Sequence, residues 1–156
     1  MSKKLLILII LILIAAITIA YFVINQSKSC GDLIIKQSEI NSIQINKGQH
    51  NTVYYKLSNQ QVISELMTRV NDITLKKLTK EQERVFFVDQ KRLLTDDFYS
   101  LSFSNANQKL GELLIWPDGN IIIPDIKTAL SSKRTITYRT IDLHPEIYAY
   151  IKKLVE

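Results

Sequence analysis

Glycine, proline and cysteine are scarce in this chain: four, three and one among 156 residues. One cysteine excludes an internal disulfide framework and a cysteine-built zinc cluster. Four scattered glycines supply no phosphate-cradling loop, and no Gly-x-Ser-x-Gly elbow occurs. The two histidines, His50 and His144, are far apart. With no His-x-x-x-His pair and no calcium loop, no metal framework is written into the sequence. The expectation is therefore no metal and no cofactor. Strong charge of one sign is missing as well. Removing Lys3, Lys4 and Lys28 from the 20 basic residues leaves 17 against 15 acidic ones, spread along the chain. That balance is no footprint for nucleic acid, which calls for clustered Lys and Arg.

What the sequence does have is one long apolar run. Residues 5–24, LLILIILILIAAITIAYFVI, carry no charge. As a helix they are about 30 Å long, the thickness of a bilayer's hydrocarbon core. Only a helix lets such a run satisfy its own backbone hydrogen bonds in lipid. Lys3 and Lys4 precede it and only Lys28 follows closely, so the positive-inside rule predicts a cytoplasmic 1–4, a membrane span or signal anchor at 5–24, and export of the rest. Membrane lipid is thus the first expected partner. Thr18-Ile19-Ala20 also offers a small-x-small cleavage site, but the apolar run continues past it. Cys30 admits a lipidation reading, disfavoured by the charge in Ser27-Lys28-Ser29 just before it. The simpler expectation for Cys30 is a free thiol in a polar stem over 25–31.

The remaining 32–156 read as one extracytoplasmic α+β domain, a mainly antiparallel sheet with two helices packed on one face. Ile43 and Ile45 alternate in a first strand, and Thr52–Leu57 returns as its hairpin partner. Ser58 and Gln61 fit a capping box for a helix that puts Val62, Ile63, Leu66, Met67 and Val70 on one side. Residues 73–78 fit a strand. Over 79–94 two readings stay open: Thr79 and Gln82 could cap a helix, while Val85-Phe86-Phe87-Val88 reads as a strand. A meander follows, with serines alternating against Tyr99, Leu101 and Phe103, a strand over 109–116, the turn Pro117-Asp118-Gly119, and strands over 120–123 and 134–141. The last helix starts near His144-Pro145 and buries Ile147, Ile151, Leu154 and Val155, with His144 expected as its cap.

Candidate chemistry is sparse. Carboxylates are the only raw material for acid–base work, and Asp96, Asp97, Asp118 and Asp125 sit near strand ends or turns; Asp118 has a sufficient role in its turn, and Asp96-Asp97 reads as a loop pair. The basic pairs Lys76-Lys77, Lys91-Arg92 and Lys133-Arg134 read as solvated faces, or as contacts to anionic headgroups or wall polymers. Tyr138, Tyr148 and Tyr150 are the candidate partner-binding residues. Helical spacing prevents Tyr148 and Tyr150 from burying on one face together, and an exposed tyrosine can anchor a partner.

The plan of Lys-Lys, one apolar span, a short stem, an Ile-x-Ile strand, a capped helix and a sheet resembles small uncharacterised single-span exported proteins of Gram-positive bacteria. The resemblance is one of general plan and residue usage, and it transfers no functional residue. Three functions are weighed. The leading one is a membrane-anchored, non-enzymatic interaction domain, accessory to or regulating another envelope protein. The second is a secreted inhibitor or immunity-type protein released by cleavage near Ala20. The third is a carboxylate-dependent envelope hydrolase, which predicts Asp96, Asp97 or Asp125 close together in a pocket.

Overall fold

A computed structural model describes residues 3–24, 27–48, 55–94, 97–106, 108–132 and 135–156. The first element, α1 (Lys3–Ile24), is a helix of 22 residues. Its side chains are described over 5–19 and at 21 and lie exposed, with the Thr18 hydroxyl donating to the Ile14 carbonyl at 2.8 Å. Among the described residues no helix is long and apolar enough to cross a membrane. The described side chains of α1 by themselves fall short of the roughly 20 residues that a span requires.

After α1 the chain builds an α+β domain on one antiparallel sheet of eight strands. These are β1 (Ser27–Ser29), β2 (Ser42–Lys47), β3 (Tyr55–Leu57), β4 (Thr74–Lys77), β5 (Tyr99–Ser104), β6 (Lys109–Ile115), β7 (Ile121–Pro124) and β8 (Thr137–Thr140). Their order across the sheet is β1-β4-β8-β7-β6-β5-β2-β3. The helices are α2 (Cys30–Leu33), α3 (Gln60–Asn71), α4 (Lys80–Arg84), α5 (Ile126–Ser132) and α6 (Pro145–Val155). Helix α3 buries Ile63, Leu66, Met67 and Val70, one stripe at helical spacing, and α6 buries Ile147 and Ile151. Both stripes join one core with Ile43, Ile45, Leu101 and Phe103, which point to one side of β2 and β5 by strand alternation. The expected α+β architecture with helices on a sheet face is what forms.

Several local expectations change. Asn59, not Ser58, caps α3: its side chain accepts from the N–H groups of Gln61 at 2.9 Å and Val62 at 3.4 Å. His144 occupies the position before α6 without capping a backbone N–H. Its Nδ1 lies 3.1 Å from Glu146 instead, and Pro145 sets the first turn. The open segment 79–94 folds as α4, then a π turn over Val85–Asp89, then a 3-10 turn over Arg92–Leu94. Thr79 and Gln82 make a reciprocal capping box that starts it. The apolar run is explained by the turn's inward side, where Phe86 is buried against Trp116. This segment covers the face of the sheet opposite α3 and α6. Ile121, Ile122 and Ile123 are all buried because β7 is covered on both sides.

The expected stem over 25–31 is structured from Ser27 onward. Residues Ser27–Ser29 pair with β4 as an edge strand, and the Cys30 N–H donates to the Ile73 carbonyl at 2.9 Å. No hydrophobic pattern marks a strand here; the pairing comes from the unfilled edge of β4. Lys28 reaches across to Asp125 at 3.4 Å, and its ammonium lies 5.1 Å over the Tyr138 ring. Asp125 also accepts from the N–H of Thr128 at 3.0 Å and its hydroxyl at 2.9 Å. Burial pushes the Asp125 pKa up, but the Thr128 donors and Lys28 outweigh it and hold the carboxyl below its ordinary value. The start of the domain is therefore bound to residues 97 positions further along the chain.

Cys30 is a free thiol, as expected, but it is fully buried at the first turn of α2 and not part of a flexible stem. Burial pushes its thiol pKa up to about 12. A sulfur enclosed in the core has no room for acyl chains. Its thiolate fraction at neutral pH falls on the order of a thousandfold below that of an exposed cysteine. The folded protein should thus resist a thiol-reactive probe, and one equivalent should react on denaturation. Prompt labelling of the native protein would contradict the burial.

The strand register also fixes which loops share an end of the sheet. Ser27 pairs with Lys76, Lys77 with Tyr138, and Pro124 with Thr137. Hence the end at which the chain enters from α1 carries the end of β4, the start of β8 and α5. At the opposite end lie the turn after β6, the approach to β5 and the start of α6, since Ile115 pairs with both Ile121 and Tyr99. These are called the anchor end and the far end.

Candidate functional site

The far end holds an open cleft of about 500 Å³, lined by Gln90, Arg92, Asp97, Trp116, Pro117 and Asp118. Three stretches of chain meet there. Trp116, the only tryptophan, directly follows β6 and is 1% exposed. Its indole N–H donates to the Arg92 carbonyl at 3.1 Å. Its ring stands edge-on to Phe86 at 5.1 Å and tilted against Phe98 at 5.4 Å, favourable aromatic geometries. Trp116 thereby fixes the end of the 79–94 segment to the sheet.

Arg92 follows Lys91, whose backbone is left-handed at φ 50°. That turn, costly by roughly 1–2 kcal/mol for a residue with a Cβ, is held by its surroundings. It delivers the Arg92 guanidinium to Asp118 at 2.6 Å and over the Phe86 ring at 5.2 Å. Asp118 accepts from the Asn120 N–H at 3.1 Å and the Asn120 amide at 2.8 Å. Burial raises the Asp118 pKa, but the Asn120 donors and Arg92 more than offset it, leaving the carboxyl below its ordinary value. A carboxylate held ionised by several donors is a fixed anion and a poor proton carrier. The mouth thus offers a carboxylate–guanidinium pair, a second acid in Asp97 and the amide of Gln90. Such a set offers both hydrogen-bond donors and acceptors at one mouth, with the Arg92 guanidinium already engaged by Asp118.

The candidate residues are placed in different regions. Asp97 and Asp118 share the cleft, while Asp125 sits at the anchor end beneath Lys28. The grouping of Asp97 with Asp125 that a hydrolase was expected to use does not form, and Asp96 lies outside the described residues. Tyr138 is 5% exposed in β8 and belongs to the core, so it presents no docking surface. Tyr148 packs on Tyr99 with ring centres 5.2 Å apart. Burial first, and then the nearby charges of Asp97 and Glu156, raise its pKa. Tyr150 lies under the Arg69 guanidinium at 4.3 Å, beside the Arg69–Glu65 pair. The three tyrosines therefore form no common patch, and only Tyr148 borders a residue of the cleft. Lys91 and Arg92 shape the cleft; Lys133, Arg134 and His50 lie outside the described residues. Among the described residues no group of three or more His, Cys, Asp or Glu is placed to hold a metal ion.

Trp116 escaped the sequence reading, and Arg92, read there as part of a solvated basic pair, is instead paired with Asp118 at the cleft. Pro117-Asp118-Gly119 is a visible turn signal, but its partner across the cleft depends on how 79–94 folds, which no local pattern settles. No protein-family model, curated protein or solved structure matches the chain.

Proposed function

We propose that this chain is a membrane-anchored interaction domain on the extracytoplasmic side, accessory to or regulating another envelope protein, and that the far-end cleft faces that protein. The uncharged run 5–24 with Lys3 and Lys4 before it supports the anchor and its orientation. The observation that carries the reading is the short connection between α1 and the sheet. From Ile24 to Ser27 the chain reaches at most about 11 Å, and from Ser27 it is locked as β1 beside β4. The cleft lies at the opposite end. A strand of seven residues such as β6 spans about 24 Å, so the cleft samples a thin shell above the bilayer. A tether of this kind raises the effective concentration only for partners held at the same surface.

A photo-crosslinking residue at Pro117 in intact cells tests it. One discrete adduct with a membrane-fraction protein is expected, and it should be lost when Arg92→Glu reverses the charge at the mouth. A domain that resists protease added outside intact cells, yet is digested once the membrane is breached, would overturn the orientation. Absence of any adduct from cleft positions would overturn the interaction. Release as a secreted inhibitor is the second reading, favoured by one observation: cleavage after Ala20 would leave every strand of the sheet intact, because β1 begins at Ser27. The N-terminal sequence of the exported form separates the two.

A further inference from the structure

The anchor end gathers three lysines within a short stretch of chain. Several cations away from it lie beside carboxylates, as in Arg69–Glu65, Arg84–Glu81 and Lys109–Glu112. At the anchor end Lys76, Lys77 and Lys80 are exposed, and among the described residues none has an ion-pair partner. Register brings them together. Lys76 is opposite Ser27, and Lys77 is one residue nearer the end. The chain then turns at Leu78, whose N–H donates to Thr137, and begins α4 with Lys80. Two adjoining hollows open around Lys77 and Leu78. One, of about 590 Å³, runs between Lys80 and Thr137; the other, of about 210 Å³, has Lys76 and Arg139 on its walls. Glu83 is the only carboxylate among their lining residues.

A second feature marks the same end. Helix α5 leaves the sheet after Pro124, and its Leu130 is 78% exposed. A large apolar side chain in water at the same end of the sheet as exposed lysines suits an interfacial membrane contact: cations meet headgroup phosphates and the apolar group enters the boundary below them. A soluble polyanion would satisfy the lysines and leave Leu130 in water, so Leu130 selects the lipid surface as occupant. The distance agrees. Lys76 is paired with the residue that follows α1 by at most about 11 Å of chain, close to one Debye length at physiological ionic strength.

We propose that Lys76, Lys77 and Lys80, with Leu130 at the same end of the sheet, dock the anchor end of the domain onto anionic phospholipid headgroups. This rests on the reading of α1 as a membrane anchor. Docking would hold the domain upright and keep the far-end cleft pointed away from the bilayer. Each basic group near an anionic surface strengthens partitioning by about fivefold, so the three lysines together give on the order of a hundredfold.

The test uses the full chain carrying Leu130→Cys labelled with an environment-sensitive fluorophore, Cys30 being buried. It is reconstituted in phosphatidylcholine vesicles and in vesicles with one third phosphatidylglycerol. Quenching by headgroup-level spin-labelled lipid is expected only in the anionic vesicles. High salt or the combined Lys76→Gln, Lys77→Gln and Lys80→Gln substitutions should abolish it, and arginine at all three positions should retain it. A chain that fails to float with either vesicle would overturn the anchor reading and this proposal with it. A chain that floats with both but shows the same quenching in both would overturn the docking alone. Binding of soluble polyphosphate without lipid quenching would assign the lysines to a polyanion and likewise overturn it.

Discussion

Replacing Gly119 by alanine is expected to lower stability by about 2–5 kcal/mol, and Tm by roughly 5–15 °C. Gly119 sits at φ +82°, a left-handed backbone that costs a residue with a Cβ about 1–2 kcal/mol. The larger part is steric. A Cβ there would overlap the backbone nitrogens of His144 and Pro145, the start of α6. Those atoms cannot swing aside as a flexible side chain would. The His144 N–H donates to the Gly119 carbonyl, and the Gly119 N–H to the Trp116 carbonyl, both at 2.9 Å. The turn under the cleft and the start of α6 are thus one bonded unit, and alanine must separate them. Asparagine, which tolerates left-handed backbone, should be no better, because its Cβ meets the same atoms. That comparison assigns the cost to overlap and not to φ. Denaturant midpoints for Gly119→Ala within error of the parent would sink the account.

Much of the fold is legible because it repeats a local period. The stripe Ile63, Leu66, Met67, Val70 and the alternation Tyr99, Leu101, Phe103 each announce an element and its buried side. What is not legible depends on partners far along the chain. Ser27–Ser29 contains no strand former, yet it completes the sheet because β4 has an open edge. Cys30 has no local mark of burial; the turn from β1 into α2 carries it inward. Phe86 and Phe87 suit a strand or a helix equally, and the choice depends on Trp116, 30 positions away from Phe86. The cleft inherits the same limit. Asp118 and Asp97 are visible as acids near turns, but their shared mouth exists only once register sets β5 beside β6. The tyrosines show the reverse. Their spacing separates Tyr148 from Tyr150, and each then rests on a different neighbour, Tyr99 or Arg69.

Truncating Trp116 to alanine should cost about 3–5 kcal/mol, the range for removing a buried tryptophan. The indole fills the space among Phe86, Phe98 and Ile122, the small core on the sheet's second face. That core has few other members, so little can move in to close the cavity. Truncation also removes the donor to the Arg92 carbonyl and the packing that holds the 79–94 segment on the sheet. Phenylalanine keeps a ring but not the donor and should cost about 1–2 kcal/mol. The position provides its own control against general unfolding. The large core that carries Cys30 lies on the other face. At low temperature Trp116→Ala should leave Cys30 unreactive toward a thiol probe while crosslinking from Pro117 is lost. Cys30 exposed in parallel would mean the two faces of the sheet unfold as one. A cleft still able to crosslink after truncation would mean that Trp116 does not build its floor.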